Sequence, residues 1–85
     1  MTRYAVLVEV SLRPGIADPQ GATIERALPA LGFEGVEQVR TGKAIRFRLE
    51  APSESDARTR VDDLCRRFLT NPVIEDATVS LEAAP

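Results

Sequence analysis

Few side chains in this sequence could carry out acid–base or metal chemistry. The 85 residues include no histidine, which removes the commonest general base and the commonest metal ligand. The single cysteine, Cys65, falls on the same apolar helical stripe as Val61 and Phe68, and this position predicts a core residue rather than a nucleophile. We therefore expect no catalytic residue, no cofactor-binding residue and no metal ligand in this chain.

The carboxylates do not form a pattern typical of an active site. Residues 62–63 and 75–76 are acidic pairs that are adjacent in sequence, so their side chains point in different directions from a helix or strand. Paired acid–base catalysis needs two carboxyl groups that converge in a cleft. The Gly-Lys pair at residues 42–43 lacks the rest of a phosphate-binding loop. We interpret the acidic pairs as solvated or interface charges.

The charge distribution argues against nucleic acid as a partner, and the lack of a long apolar stretch argues against a membrane. Eleven basic and 13 acidic residues are interspersed along the chain, whereas a nucleic-acid binder concentrates its basic residues on one face. The one compact basic group is typical of a solvated strand face; it comprises Arg40, Lys43, Arg46 and Arg48. No stretch approaches the roughly 18 apolar residues of a membrane span, and the first ten residues do not resemble a secretory signal. We expect a cytoplasmic protein.

Hydrophobic periodicity predicts the first two elements. Residues 4–12 alternate between valine and other side chains, which predicts a strand with one buried face. Residues 19–31 carry an amphipathic stripe and predict a helix, with Asp18 as its N-cap and a proline at its first position. Pro29 is expected to kink or loosen the last turn, and Gly32 to cap it in a left-handed conformation.

A hairpin is predicted to follow the first helix. Its strands are expected over residues 35–40 and 43–50, joined at Gly42, which would supply the positive φ of a tight turn. The second helix is expected to begin after Ser53, as in a capping box, and to end at residues 71–72, where Asn-Pro stops it. Alternation over residues 77–82 predicts the last strand.

The order βαββαβ predicts one α+β domain over residues 1–85. In this ferredoxin-like arrangement two helices cover one face of a four-stranded antiparallel sheet, with the first and third strands in the middle. The opposite face is polar and has no layer of its own. That face, or an exposed edge strand, is where a second subunit would dock.

Three other classes of protein share this order of elements. An RNA-recognition domain stacks bases on aromatic side chains of its central strands, but only Tyr4 and Phe47 are available here, and Phe47 has the inward phase. An acylphosphatase-like enzyme would need an arginine loop and a nearby asparagine. Arg13 is suitably placed, but Asn71 lies at the far end of the second helix. An ACT-like module that senses amino acids, with its site at the loop of residues 13–21, remains the alternative.

Four stretches together resemble the family of PurS, the small subunit of phosphoribosylformylglycinamidine (FGAM) synthase. They are LRPGIADPQG at 12–21, ALPALGF at 27–33, VRTGKAIRFRLEA at 39–51 and LCRRFLTNPVIED at 64–76. The family motifs D-P-Q-G, V-R-x-G-K and N-P-V-I-E fall in register over nearly the whole chain. The residues matched, which we take as candidate partner contacts, are Asp18, Pro19, Gln20, Gly21, Arg40, Gly42, Lys43, Asn71, Pro72 and Glu75. Pro29 and Ala77 depart from the family pattern.

The resemblance implies a non-catalytic subunit of a ligase in purine biosynthesis. In this enzyme a PurQ-type glutaminase releases ammonia, and a PurL-type synthetase uses it with ATP and Mg²⁺ to form FGAM. The small subunit would itself bind no cofactor. It would bridge the two partners as a homodimer or a dimer of dimers and support ammonia transfer.

Most motif residues also have a purely structural explanation. Asn71 and Pro72 suffice as a helix stop. Lys43 is not explained in this way, and we hypothesise that it contacts a carboxylate or carbonyl of a partner chain. Gly21 weakens the first helical turn, by up to about 1 kcal/mol relative to alanine. This cost suggests that something packs closely against it, and the resemblance favours a neighbouring subunit.

Overall fold

Three segments with alternating apolar residues pair as an antiparallel sheet in the computed structural model, which describes residues 1–84. The strands are β1 (Thr2–Leu12), β2 (Gly42–Ala51) and β3 (Glu75–Ala84), in the spatial order β2-β1-β3. The described residues also form two α-helices, α1 (Pro19–Ala27) and α2 (Glu54–Leu64). A 3-10 turn, Pro29–Leu31, follows α1, and a π-helical turn, Cys65–Leu69, follows α2. The prediction of an α+β chain with two helices and an antiparallel sheet is confirmed.

The core lies between α2 and one face of the sheet. The valines of β1 supply its centre, and Val8 is opposite Ile45 on β2 and Val79 on β3. Val61 of α2 packs onto these valines and is fully buried, as is Val8. Cys65 is also in this core, so its assignment to the apolar stripe is confirmed. Burial raises the pKa of the Cys65 thiol, and the Asp62 carboxylate acts in the same direction.

The prediction of a fourth strand over residues 35–40 is wrong. Gly35 has φ 83° and Gln38 has φ 58°, and such left-handed residues interrupt an extended backbone. The predicted hairpin is therefore also wrong. Gly42 has no positive φ and instead begins β2, where the Val10 carbonyl oxygen lies 2.5 Å from the place a Cβ would occupy. Without the fourth strand, β2 is an edge strand of the described sheet rather than a central one.

Both helices begin where the sequence indicates, whereas α2 ends at Leu64 and its π-helical turn at Leu69, ahead of the predicted stop at residues 71–72. Asp18 caps α1, Pro19 is its first residue, and the Ser53 hydroxyl accepts a hydrogen bond from the Asp56 N–H at 3.2 Å. Pro29 ends α1 early by starting the 3-10 turn, and Gly32 follows with φ 93°. The predicted loosening and the left-handed cap are thus confirmed.

The first helix does not lie on the sheet. Among residues 1–84, α2 packs on β2 and β3, whereas α1 contacts mainly the turn that follows it. The molecule measures 53 × 29 × 15 Å, with a radius of gyration of 16.7 Å. A compact chain of this length has a radius of about 12 Å. The prediction that both helices cover one face is therefore wrong for α1. Residues 19–38 project from the sheet, and we call them the arm.

No helix in residues 1–84 combines the length and the apolar character needed to cross a membrane.

Candidate assembly site

Two of the three family motifs meet at the base of the arm, around the Asp18 carboxylate. One oxygen of Asp18 accepts hydrogen bonds from the Gly21 N–H and the Thr41 hydroxyl, both at 2.9 Å. The other accepts from the Thr41 N–H at 2.6 Å. The carboxylate therefore joins the start of α1 to the residue that precedes β2.

The groups around the Asp18 carboxylate favour its charged form. Hydrogen bonds donated by the Thr41 and Gly21 backbone hold the pKa of Asp18 below its usual value. Burial acts in the opposite direction, while the Thr41 hydroxyl and the nearby Arg40 guanidinium add to the lowering. Asp18 is only 9% exposed and is the buried charged residue of the described chain. The carboxylate is thus ionised and fully hydrogen-bonded at neutral pH.

Gly21 is required by close packing within the same chain. A Cβ at this position would collide with the carbonyl oxygen of Val39 and would also lie 2.9 Å from an Asp18 oxygen. The Val39 N–H in turn donates to the Glu25 carboxylate at 2.9 Å, which holds the returning segment of the arm against α1. The prediction of close packing at Gly21 is confirmed. The inference that a neighbouring subunit causes it is wrong, because Val39 does.

Two arginines connect the hydrogen bonds around Asp18 to the third motif, N-P-V-I-E. The Arg40 guanidinium donates to the carbonyl oxygen of Ile16 at 2.9 Å, which fixes the loop before Asp18. Arg13, at the start of that loop, donates to the Pro72 carbonyl oxygen at 2.6 Å. It also forms an ion pair with Asp76 at 3.2 Å. One end of the sheet therefore carries all three motifs in a continuous network.

The N-P-V-I-E motif forms a tight turn ahead of β3. The Asn71 side-chain oxygen accepts from the Val73 N–H at 3.1 Å, and the Asn71 N–H donates to the Glu75 carboxylate at 2.7 Å. The Asn71 carbonyl oxygen accepts from the Glu75 N–H at 2.8 Å. These bonds explain Asn71 and Glu75 as residues that stabilise the turn. Val73, within the turn, is 77% exposed.

Three motif residues expose their side chains on the surface of the described chain, and of these only Pro19, as the first residue of α1, has a structural role. Pro19 and Gln20 are exposed in the first turn of α1. Lys43 is exposed on β2, opposite Val10 in the register, and therefore on the same sheet face as α2. These three side chains are the motif residues best placed to meet another chain. Their assignment as partner contacts stays a prediction.

Sequence reasoning missed Arg13 and Thr41 as parts of this network. Thr41 occupies the unspecified position of V-R-x-G-K, where any residue but proline could donate through its backbone N–H. The sequence alone suggests Arg13 only as a residue of an arginine loop that binds phosphate. Its loop position after a strand was the available signal, since such an arginine can reach the carbonyl oxygens of a neighbouring turn.

Several polar groups of the loop at residues 13–18 form hydrogen bonds within the chain itself. Arg40 binds the Ile16 carbonyl oxygen, and the Ile16 N–H donates to the Arg13 carbonyl oxygen at 3.1 Å. Within residues 1–84 no group of three or more His, Cys, Asp or Glu side chains is placed to hold a metal ion. The hydrogen bonds of this loop are suited to fixing the direction of the arm.

Residues 5–83 match the family model of PurS, described as phosphoribosylformylglycinamidine (FGAM) synthase. The chain belongs to the PurS family. This confirms the resemblance carried by the three motifs.

Curated PurS subunits are similar to this chain over most of their length. The chain is 41% identical to the FGAM synthase subunit PurS of Synechocystis sp., over 94% of this chain and 80% of that one. It is 42% identical to the subunit of Methanothermobacter thermautotrophicus, over 93% of each chain.

Solved PurS structures have the same fold. A chain from a PurLQS structure of Thermotoga maritima superposes with a TM-score of 0.89 at 33% identity, covering 96% of this chain and all (100%) of that one. PurS of Methanocaldococcus jannaschii, described as a subunit of formylglycinamide ribonucleotide amidotransferase, superposes with a TM-score of 0.85 at 35% identity. It covers 96% of this chain and 99% of that chain.

Proposed function

We propose that this PurS-family chain is an assembly subunit of FGAM synthase. It joins a PurL-type synthetase to a PurQ-type glutaminase and supports the transfer of ammonia between them. ATP, Mg²⁺ and glutamine are used by those partners. The observation that carries the proposal is the match over the full length of the relative in the PurLQS structure from Thermotoga maritima.

The geometry of the chain is consistent with a role in assembly. The network around Asp18, Arg40 and Arg13 fixes a projecting arm, and the motif residues Gln20 and Lys43 remain exposed at its base. Rigid presentation of surface groups lowers the entropic cost of association. We propose that the exposed motif residues contact partner chains and that the functional unit is a homodimer, which can pair again as a dimer of dimers.

Reconstitution tests this function directly. The chain is mixed with the synthetase and glutaminase subunits, and glutamine-dependent formation of FGAM is measured with and without it. We expect turnover with glutamine to require the chain, whereas turnover with added ammonia persists in its absence. Equal glutamine-dependent turnover in both mixtures would contradict an assembly role.

Lys43→Ala is the informative variant in the same assay. Lys43 is exposed and β2 does not depend on its side chain, so the variant should retain the thermal stability of the parent chain. If Lys43 contacts a partner, glutamine-dependent turnover at limiting subunit concentration should fall by about tenfold, as for loss of one charged contact. Arg58→Ala on α2 is the control, because it removes an exposed positive charge outside the motifs. Unchanged assembly by Lys43→Ala would refute the contact.

A further inference from the structure

The phenylalanine that follows α2 is exposed although its spacing predicts burial. Phe68 lies seven positions after Val61, which is fully buried. In a continuous α-helix seven residues complete nearly two turns, so these two side chains would share a face. Phe68 is instead 80% exposed. The expectation that it belongs to the apolar stripe of Val61 and Cys65 is therefore wrong.

The π-helical turn at Cys65–Leu69 explains this exposure. The Thr70 N–H donates to the Cys65 carbonyl oxygen, five positions earlier, at 3.0 Å, and the Thr70 hydroxyl donates to the same oxygen at 2.9 Å. A π-helical turn contains one more residue than an α-helical turn, so the side chains after it are displaced by one position. Leu69 consequently packs against the core in place of Phe68. Single π-helical turns inside helices occur frequently at functional sites.

Exposed apolar side chains are concentrated in the segment that joins α2 to β3. We call residues 64–73 the link. Leu64 and Val73 are exposed in it, as Phe68 is. Apart from Met1, the other large apolar side chains that are exposed in the described chain lie on the arm. Apolar groups concentrated in this way are typical of an interaction surface, whereas scattered single ones are not.

The turn that carries Val73 does not depend on a valine. Asn71 and Pro72 occupy its first two positions, where these residue types are favoured. The Ile74 N–H closes the turn by donating to the Asn71 carbonyl oxygen at 3.1 Å. The bond from Arg13 to the Pro72 carbonyl oxygen holds the turn against the loop after β1. Val73 is therefore presented at the surface in a fixed position, although its own side chain does not stabilise the turn.

The link is basic. It contains two arginines, Arg66 and Arg67, and no carboxylate. Both guanidinium groups are largely exposed and pair with the same carboxylate, that of Asp63, at 3.7 and 3.3 Å. One carboxylate for two arginines leaves an excess of positive charge in this group. Arginine and aromatic side chains are the residue types enriched where proteins bind each other.

We propose that the link is a docking surface for a partner subunit of the FGAM synthase complex. Phe68 and Val73 are its apolar anchors, and Arg66 and Arg67 bind carboxylates of the partner. The partner surface that fits the link is an apolar pocket with aspartate or glutamate at its rim. A second copy is disfavoured as the occupant, because a two-fold pairing of link with link would bring the arginines of both copies together. This inference deepens the proposed assembly function and rests on it.

Phe68→Ala and Val73→Ala test the apolar anchors. Synthetase and glutaminase are held at fixed concentration, the chain is titrated, and the concentration that gives half-maximal glutamine-dependent turnover is measured. Phe68→Ala should raise this concentration by roughly 30-fold and Val73→Ala by about tenfold, as for loss of interface anchors. Thr59→Ala, an exposed position of α2 outside the link, is the control and should leave it unchanged. Thermal melts should show that all three variants are as stable as the parent, because the side chains removed are exposed.

Charge reversal tests the arginines in the same titration. The double variant Arg66→Glu with Arg67→Glu should raise the half-maximal concentration by about tenfold or more at low salt, and the effect should diminish as salt screens the charges. Arg58→Glu, which reverses an exposed charge on α2 outside the link, should have no such effect. Equal effects of the double variant and this control would contradict a carboxylate-rimmed partner.

The outcomes separate this inference from the assembly function. A half-maximal concentration that is the same for Phe68→Ala and the parent would overturn the inference, whereas the requirement for the parent chain would still support assembly. A parent chain without effect on turnover would refute the assembly function and this inference with it. Light scattering after size exclusion should give Phe68→Ala the same mass as the parent. A lower mass would assign Phe68 to a contact between copies and also overturn the proposal.

Discussion

At the scale of single residues, one carboxylate determines where the arm begins. Asp18 caps α1 through the Gly21 N–H and holds Thr41 through both its backbone and its hydroxyl. The first of these bonds is predictable from sequence, because aspartate before Pro is a strong helix start. The bonds to Thr41 join residues 23 positions apart, and no local rule indicates them.

Asp18→Asn should destabilise the chain at neutral pH and flatten its response to acid. Asparagine can still cap α1, but its NH₂ group cannot accept from the Thr41 N–H. The pKa of Asp18 is lowered in the folded chain. The ionised carboxylate therefore stabilises the fold above the usual aspartate pKa of about 3.9, and this stabilisation is lost as the pH falls through the pKa of the folded state. Thermal melts from pH 7 to pH 2 should show a gap of several degrees between parent and variant that closes at low pH.

The control for this comparison is Glu34→Gln, which removes an exposed carboxylate elsewhere on the arm. Its melting temperature should follow that of the parent at every pH. A gap between the parent and Asp18→Asn that stays constant from pH 7 to pH 2 would show that the Asp18 charge does not contribute to stability.

Gly21→Ala should destabilise the chain although alanine is the better helix former. The gain in helix propensity is at most about 1 kcal/mol. The added Cβ meets the Val39 carbonyl oxygen, a backbone atom, so α1 or the returning segment must shift, at a cost of about 1–3 kcal/mol. Urea unfolding measures the difference. Gln20→Ala, one position earlier and exposed, should change stability by no more than about 0.5 kcal/mol. A more stable Gly21→Ala chain would mean that the approach of Val39 is relaxed in solution.

At the scale of elements, local sequence patterns predicted the secondary structure of each segment better than its position in the fold. The alternation in β1 correctly indicated its buried face, and Pro29 and Gly32 correctly indicated the end of α1. The prediction of a strand over residues 35–40 is wrong: Val36 and Val39 are spaced by three and lack the period of two of a half-buried strand, and nothing in the sequence indicates the positive φ of Gln38. The projection of α1 was also missed. An amphipathic stripe shows that a helix buries one face, but not which chain covers it.

Arg13→Ala tests whether the loop after β1 and the turn before β3 stabilise each other. The side chain donates to the Pro72 carbonyl oxygen and pairs with Asp76, although it is partly exposed. Its loss should lower the free energy of unfolding by about 0.5–1.5 kcal/mol. Arg3→Ala removes an ion pair to Glu50 and should cost less, about 0.5 kcal/mol or under. Equal effects of the two substitutions in urea unfolding would contradict the cross-link.

At the scale of the whole molecule, the sequence predicted candidate contact residues but not how they are arranged in space. The resemblance identified the motif residues, and the structure then divided them into framework groups such as Asp18 and exposed groups such as Lys43. That division depends on which segments meet in space, and the three motifs are separated by about 20 to 30 residues of chain. The polar, open sheet face was predicted from alternation, and in the described chain α2 indeed covers only the other face.

The open face is complementary to itself in one orientation. Ala5 on β1 is opposite Arg48 on β2 and Glu82 on β3, so these opposite charges lie in one row at the two edges of the sheet. A two-fold axis parallel to the strands leaves each residue of the second copy at the same height along the strands but exchanges the two edges of its sheet. Arg48 of each copy therefore faces Glu82 of the other copy. An axis across the strands would instead set β2 over β2, with arginines facing each other. If dimers pair through this face, they should do so in the first orientation.

Charge exchange tests that pairing. Arg48→Glu places like charges opposite one another and should weaken the association of dimers by about tenfold or more at low salt. The double variant Arg48→Glu with Glu82→Arg restores opposite charges and should recover the association. Arg58→Glu on α2, away from this face, should leave it unchanged. Sedimentation velocity at low and at about 1 M salt measures the effect, which screening should diminish. Failure of the double variant to recover would rule out this orientation, because its only difference from the parent is the exchange of the two charges between strands.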